Sequence, residues 1–140
     1  MPRDPFRFNA RIRFIDTDAS GRIHYTAMFR YFESAEIEFL RTVGVTYALR
    51  GDLTFPRVHV ECDFRIPLRH DDVIDIEVFL TTLGRSSARF EFRTFKAAEL
   101  AASGAVVIVC TDTQTQRAIP IPDELRTKFS ALLDEPAIET

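Results

Sequence analysis

Residues 14–45 decide the fold, and they read FIDTDASGRIHYTAMFRYFESAEIEFLRTVGV. The stretch opens with turn and cap residues at positions 16–21. Residues 23–43 then contain no Gly or Pro, and apolar side chains recur among them at spacings of three and four. This pattern predicts a helix of about four turns with a broad apolar face, which Gly44 ends.

The rest of the chain is typical of β-strands, because apolar and polar residues alternate along it. The predicted strands cover residues 6–15, 55–66, 73–82, 87–97 and 105–115, with turns at 67–72, 83–85 and 102–104. Pro56 indicates a strand start or a sheet edge, and a short helix is predicted over residues 123–133. Tight connections imply an antiparallel sheet. The prediction is therefore a two-layer α+β domain, with the long helix covering one face of five strands.

Length and composition fit a single domain spanning residues 1–140. Of these residues, 46% are hydrophobic and 28% are charged, which excludes disordered and low-complexity classes. No apolar run approaches the roughly 18 residues of a membrane span, and the N-terminus lacks the apolar core of a signal peptide. We therefore expect a cytoplasmic protein without a membrane partner.

The charged and sulfur-containing residues limit the possible ligands. The net charge of −3 argues against a nucleic-acid partner. Nearly all positive charge is arginine, which suits a phosphorylated ligand, although the composition of the source genome explains it equally well. Cys62 and Cys110 lie in apolar stretches and are predicted to be buried free thiols. Without a CxxC pair, zinc has no thiolate support.

The densest polar cluster is the junction between the first strand and the long helix. It contains Asp16, Asp18, His24 and Tyr25, directly before a helix whose first N–H groups lack partners. Such N–H groups and the helix dipole can stabilise a developing oxyanion, and a carboxylate opposite them could attack a carbonyl or activate water. Asp and Ser at such a junction also serve as plain helix caps, so the residue types alone leave both interpretations open.

The same stretch closely resembles the signature of hotdog-fold thioesterases of the 4-hydroxybenzoyl-CoA thioesterase type. That signature has Asp-x-Asp-x-x-Gly after a strand, then a helix with an aromatic–aromatic–acid triplet and a final glycine. The matching residues here are 16–21, 23–25, 31–33 and 40–44, with looser matches at 64–67, 70–72 and 83–87. The resemblance implies a hotdog fold, in which a five-stranded antiparallel sheet wraps a long central helix.

The resemblance also implies an activity, the hydrolysis of an acyl-CoA or aroyl-CoA thioester to free acid and CoA without a cofactor. Asp18 matches the family's catalytic carboxylate, as general base or nucleophile, and the backbone N–H of Tyr25 would polarise the thioester carbonyl. Asp16 is implied to be structural. His24 stands where many bacterial members carry tyrosine, so it either touches substrate or packs locally.

Further substrate contacts are implied at Glu33, Arg85 and Ser86. Glu33 lies eight residues after Tyr25, where a separate hotdog branch places its catalytic acid, and we expect it to be a secondary polar group here. The turn containing Arg85 and Ser86 is implied to bind the phosphates of CoA. Arg57 and Arg65 are weaker candidates for the same phosphates.

No metal or cofactor is expected. Asp16, Asp18 and His24 could be read as metal ligands, but no second histidine is placed to complete a site. His59 and His70 are read as ordinary strand and turn residues.

The same resemblance raises two other possible functions and predicts an oligomeric state. A non-catalytic module that binds acyl-CoA or an acyl carrier is the alternative. A hotdog dehydratase or hydratase is disfavoured, because the HFP and NPxH strings that such enzymes typically carry are absent. Hotdog sites are built from two subunits, and an exposed sheet edge and 13 phenylalanines also favour association. We therefore expect a homodimer or homotetramer.

Overall fold

The computed structural model describes residues 4–47 and 51–134. The predicted architecture is confirmed: a five-stranded antiparallel sheet, a long helix packed on it and a short C-terminal helix. In chain order the elements are β1 (Phe6–Arg11), a 3-10 turn (Phe14–Asp16), α1 (Ala27–Arg41), β2 (Leu53–Thr54), β3 (Arg57–Phe64), β4 (Val73–Leu83), β5 (Ser87–Lys96), β6 (Glu99–Val109), β7 (Thr111–Asp112) and α2 (Asp123–Leu132).

The main sheet has the strand order β1-β4-β5-β6-β3, while β2 and β7 form a separate pair. The alternation of apolar and polar side chains along each strand determines the buried face of the sheet. In β4, for example, Ile74, Ile76 and Leu80 are fully buried. β3 is an edge strand, as Pro56 before it predicted. Most residues of β3 are exposed, so this edge is open in the single chain.

α1 lies against the centre of the sheet. Its Phe32 is fully buried, and its ring stacks on that of Phe92 in β5 with 4.5 Å between the ring centroids. A Cβ added at Gly104 of β6 would lie 2.6 Å from Cε2 of Phe32 and 2.4 Å from the carbonyl oxygen of Glu61. Gly104 therefore lets the helix and β3 approach β6 closely.

The long helix begins later than predicted. α1 starts at Ala27 and not at residue 23, because the preceding backbone is used in pairing. The Ile23 N–H donates to the Leu68 carbonyl at 2.7 Å, and the His24 N–H donates to the Asp16 carbonyl at 2.8 Å. The helix ends at Arg41, and Gly44 follows with a φ of +77°.

Three strand boundaries were predicted wrongly by more than two residues. One of them is the end of the last strand, since β6 ends at Val109 and not at residue 115. The first strand ends at Arg11 and not at residue 15. The predicted turn at residues 102–104 lies inside β6, and the chain instead turns at Ala97 and Ala98, with φ values of +48° and +70°. Two alanines in left-handed conformations carry no turn signal in the sequence, whereas Gly104 suggested a turn but serves close packing.

α2 is confirmed to within one residue of its predicted end, and Pro122 stands at its N-cap. Its Phe129 is fully buried in the core. Arg126 donates hydrogen bonds to the carbonyls of Gly84 and Arg85, at 2.7 and 2.8 Å, and so ties α2 to the hairpin between β4 and β5. Neither α1 nor α2, the two helices of the described residues, is long and apolar enough to cross a membrane.

Neither Cys62 nor Cys110 forms a disulfide within the described residues. Cys110 is fully buried, as predicted. Cys62 lies on the edge strand β3 and is only partly buried, but burial still raises its pKa to about 12. A thiol with so high a pKa stays neutral and is not a nucleophile near neutral pH.

Candidate active site

A tight loop between β1 and α1 carries Asp18. The Asp18 N–H donates to the Arg22 carbonyl at 2.8 Å, and the Gly21 N–H donates to the Asp18 carbonyl at 2.9 Å. An antiparallel bridge joins Thr17 to Ile23 at the base of the loop. Gly21 has a φ of +83°, a conformation that side chains disfavour. The Asp-x-Asp-x-x-Gly pattern therefore encodes a closed turn with Asp18 near its start.

Asp18 is an exposed carboxylate that one neighbour orients. Its Oδ1 accepts hydrogen bonds from the Ser20 hydroxyl at 2.6 Å and the Ser20 N–H at 2.8 Å. These two hydrogen bonds are the main cause of a pKa of Asp18 below its ordinary value. Asp18 is thus ionised near neutral pH, as a general base or nucleophile must be. Sequence reasoning missed Ser20, although an Asx-turn signal two residues after an aspartate was visible.

The backbone N–H of Tyr25 is a free donor just before α1. On one side the His24 N–H is bound to Asp16, and on the other the Thr26 N–H donates to Nδ1 of His24 at 3.2 Å and the Ala27 N–H to the His24 carbonyl at 2.8 Å. Within residues 4–47 and 51–134, the Tyr25 N–H has no acceptor. It stands at the positive end of the helix dipole, where an oxyanion is stabilised.

His24 makes local contacts. Its Nδ1 lies 2.7 Å from the Thr26 hydroxyl, and its ring stacks on Tyr25 with 4.9 Å between centroids. Because Nδ1 accepts from the Thr26 N–H, the hydrogen-bond network assigns the ring proton to Nε2. These contacts show that His24 packs locally. Its ring is also exposed, and contact of the ring with substrate stays a prediction.

Asp16 anchors the loop to α1. It is 5% exposed, and its Oδ2 accepts a hydrogen bond from the Tyr31 hydroxyl at 2.6 Å. Arg30 binds Oδ1. Burial raises the pKa of Asp16, but the hydrogen bonds from Tyr31 and Arg30 outweigh burial and hold the pKa below its ordinary value. These contacts are those of a structural carboxylate.

A cavity of about 200 Å³ runs between α1 and the strands β3 and β6. Its lining residues are Phe29, Arg30, Glu33, Glu36, Arg57, Val60 and Val106. Glu33 is half exposed there and pairs with Nη2 of Arg57 at 3.5 Å. Arg30 is also the residue that binds Asp16. The cavity therefore begins beside the Asp18 loop, and Glu33 lies on its wall.

Sequence reasoning missed a buried polar cluster around Glu36. The Glu36 side chain is fully buried, and its Oε2 accepts hydrogen bonds from the Tyr47 hydroxyl at 2.5 Å and from Nη2 of Arg57 at 2.9 Å. Burial raises the pKa of Glu36. A signal was present, because Glu36 lies four residues after Phe32 on the buried stripe of the helix. Arg57, a weaker phosphate candidate, is paired with Glu33 and Glu36 instead.

Arg85 and Ser86 lie far from Asp18 within one chain. The Asp18 loop is held near the first residue of β4, through Ile23 and the Leu68 carbonyl. Arg85 and Ser86 form the turn after the last residue of β4. The 11 residues of β4 span roughly 33 Å. Arg85 and Ser86 therefore lie at the opposite end of β4 from the Asp18 loop, whereas Glu33 lines the cavity that Arg30 also lines.

The remaining histidines have nearby acidic neighbours. Nε2 of His59 lies 2.9 Å from Oε1 of Glu61, and Nε2 of His70 lies 3.4 Å from Oδ1 of Asp71. In the described part of the chain, no three His, Cys, Asp or Glu side chains come together as metal ligands would.

Comparison with known proteins places this geometry in a family. A putative esterase from Aquifex aeolicus (strain VF5) is 37% identical over 94 residues, covering 66% of this chain and 73% of the relative. A 1,4-dihydroxy-2-naphthoyl-CoA hydrolase from Synechococcus elongatus is 28% identical over 125 residues, covering 86% and 92% of the two chains. The crystal structure of a hypothetical protein from Aquifex aeolicus superposes with a TM-score of 0.83 at 31% identity, covering 89% and 99%.

The family itself is defined by a match over most of the sequence. Residues 12–129 match the family described as the Thioesterase-like superfamily. The matched residues include the Asp18 loop, α1 and four of the five strands of the main sheet, all but β1. The resemblance read from residues 14–45 is confirmed at this level. The chain belongs to the Thioesterase-like superfamily and has its hotdog fold.

Proposed function

We propose that this thioester hydrolase cleaves an acyl-CoA or aroyl-CoA thioester to free acid and CoA. In this proposal the loop carboxylate Asp18 is the catalytic group, as in the 4-hydroxybenzoyl-CoA thioesterase type. One observation carries the proposal: an ionised Asp18 and an unpartnered Tyr25 N–H lie on one short connection into α1. The Synechococcus relative, named as a 1,4-dihydroxy-2-naphthoyl-CoA hydrolase, supports the substrate class.

The chemistry needs little beyond these two groups. As general base, Asp18 takes a proton from water while the water oxygen attacks the thioester carbonyl, and the Tyr25 N–H binds the oxyanion that forms. Collapse breaks the C–S bond and releases the CoA thiolate, which receives the proton from Asp18 or from solvent. As nucleophile, Asp18 instead forms a mixed anhydride that water hydrolyses. A thiolate leaves readily, so neither route requires a separate acid or a cofactor.

A turnover screen tests the proposal against the alternative of a non-catalytic binding module. The protein is incubated with aryl-, short-chain and long-chain acyl-CoAs, and released thiol is measured. Thiol release with at least one class is expected. Binding of acyl-CoA without thiol release in any class would contradict the enzymatic proposal.

We propose that the working form is a homodimer or homotetramer. β3 is an edge strand with three exposed apolar residues, since Val58, Val60 and Phe64 are 60%, 46% and 46% exposed. An open edge of this kind pairs readily with another strand. Light scattering at micromolar concentration should give at least twice the chain mass of 16.0 kDa. A measured mass equal to that of one chain would contradict the prediction.

We further propose that Arg85 binds the nucleotide phosphates of CoA at the site of a second chain. Arg85 is exposed and stands at the opposite end of β4 from the Asp18 loop of its own chain. A guanidinium in a surface turn suits phosphate. In this arrangement Ser86 lies in the same turn and lines the phosphate subsite.

Arg85→Ala should raise KM for acyl-CoA several-fold and leave kcat nearly unchanged, because it removes binding that ground and transition states share. A truncated thioester without the nucleotide should be hydrolysed equally by both forms. If the truncated substrate suffers as much as acyl-CoA, Arg85 does not contact the nucleotide.

Mixed oligomers decide whether Arg85 acts on its own chain's site or on another's. Asp18→Asn chains, which keep Arg85, are co-expressed with Arg85→Ala chains, which keep Asp18. A mixed oligomer then contains a site with both residues intact only if each site takes its Asp18 from one chain and its Arg85 from another. We expect such mixtures to regain turnover with the wild-type KM. Turnover that retains only the raised KM would assign Arg85 to the site of its own chain.

A further inference from the structure

The hydroxyl of Tyr31 joins α1 to the segment that precedes Asp18. Tyr31 lies in the second turn of α1 and is 7% exposed. Its hydroxyl donates to Oδ2 of Asp16 at 2.6 Å and accepts a hydrogen bond from the Arg13 N–H at 3.0 Å. Burial raises the pKa of Tyr31, so the hydroxyl keeps its proton and remains a donor.

Arg30 adds a second contact from the same helix. It binds Oδ1 of Asp16, although its side chain is 62% exposed. Each carboxylate oxygen of Asp16 is therefore bound by one side chain of α1. We refer to these two contacts, from Tyr31 and Arg30 to Asp16, as the helix clamp.

The main chain continues the connection from Asp16 to the N–H of Tyr25. The Asp16 carbonyl accepts the His24 N–H at 2.8 Å, and the His24 carbonyl accepts the Ala27 N–H at 2.8 Å. In a trans peptide the C=O and the following N–H point in opposite directions. Because Ala27 holds the His24 carbonyl, the Tyr25 N–H points the opposite way, out of the start of α1.

Resting on the proposed thioester hydrolysis, we propose that Tyr31 is a positioning residue: through Asp16 it fixes the Asp18 carboxylate relative to the Tyr25 N–H. Asp18 moves with its loop, and the Tyr25 N–H moves with the start of α1, so the helix clamp sets the distance between them. A misplacement of about 1 Å can slow an enzyme about 10²-fold. Tyr31 acts through Asp16, and the chemistry remains with Asp18 and Tyr25.

The first test removes the hydroxyl and keeps the ring. In Tyr31→Phe we expect kcat per folded protein to fall about 10-fold or more, because Asp16 loses one of its two contacts with α1. Tyr47→Phe is the matched control, since it removes another hydroxyl that binds a buried carboxylate, that of Glu36. It should also lower Tm but leave kcat nearly unchanged. An equal fall of kcat in both variants would indicate lost stability alone and overturn the inference.

The second test reads the position of the Tyr25 N–H with two inhibitors. The probes are phenacyl-CoA, a thioether that keeps a carbonyl, and phenethyl-CoA, which has CH₂ in its place; acetonyl-CoA and propyl-CoA replace them if only aliphatic thioesters are hydrolysed. The ratio of the two inhibition constants does not depend on how much of the enzyme is folded. We expect the wild type and Tyr47→Phe to prefer the carbonyl compound, and Tyr31→Phe to lose most of that preference. The same ratio in Tyr31→Phe and the wild type would overturn the inference.

A third variant keeps the inference testable if Tyr31→Phe fails to fold. Arg30→Gln removes the other half of the helix clamp from an exposed position, and it should lower the carbonyl preference in the same direction. A ratio of inhibition constants equal to that of the wild type would overturn the inference. If the wild type hydrolyses no thioester, the proposed function fails; if it does and Tyr31→Phe is equally active, only the role of Tyr31 fails.

Discussion

Asp18→Asn is expected to slow thioester hydrolysis by about 10²–10³-fold or more, with little change in stability. The substitution keeps the shape of the side chain but removes the negative charge that activates water or attacks the carbonyl. Asp18 is exposed, and its contacts within the described residues are to its own loop, so the fold does not depend on its charge. Initial rates at saturating acyl-CoA, with a thermal melt of the same sample, measure both effects.

Asp16→Asn is the matched control, because it makes the same chemical change two residues away. Asp16 is buried and bound by Tyr31 and Arg30, so its loss should lower stability and cost activity far less than the loss of Asp18. The depressed pKa of Asp16 stabilises the fold above the ordinary pKa of about 3.9, and this contribution is lost as pH falls below it. Near-wild-type turnover in Asp18→Asn would contradict the assignment of Asp18.

The pKa of Asp18 should determine the acid limb of the pH profile, the range at low pH where activity falls. The Ser20 hydrogen bonds lower the pKa of Asp18, so the carboxylate should remain active down to a pH below the ordinary value of about 3.9. Protonation removes the base below that point, and kcat/KM should fall there. Ser20→Ala should move the acid limb upward, because it removes the hydroxyl that donates to Oδ1.

Gly104→Ala is expected to destabilise the protein by about 3 kcal/mol, equivalent to a lowering of Tm by roughly 10 °C. A Cβ at this position would meet the Glu61 carbonyl oxygen at 2.4 Å and the Phe32 ring at 2.6 Å. The first contact is with the backbone of the paired strand β3, and the second is with a ring held against Phe92. Neither can move without separating strands or lifting α1.

Gly51→Ala is the matched control for this substitution. A Cβ there would have no atom within 4 Å, so the same added methyl group should leave stability nearly unchanged. Thermal melts of both variants at one protein concentration measure the difference, since association of chains would otherwise shift Tm. Equal melting temperatures for Gly104→Ala and the wild type would contradict the close packing of Phe32 on β6.

The sequence alone determined the features that depend on neighbouring residues. The alternation of apolar and polar residues along the strands, the helical spacing within residues 23–43 and the turn chemistry of residues 16–21 each act over a few positions. They predicted the five-stranded antiparallel sheet and both helices. Ser20, two residues from Asp18, holds the predicted carboxylate through contacts of the same short range.

Only the tertiary structure decided which distant residues meet. Glycine is common in turns, but the role of Gly104 is to leave room for Phe32, which is 72 positions earlier in the chain. The buried polar cluster at Glu36 forms because Arg57 and Tyr47 approach its Oε2 from separate segments. The separation of Arg85 from Asp18 follows from the length and direction of β4. Contacts between such segments depend on strand pairing and helix docking, which local periodicity does not encode.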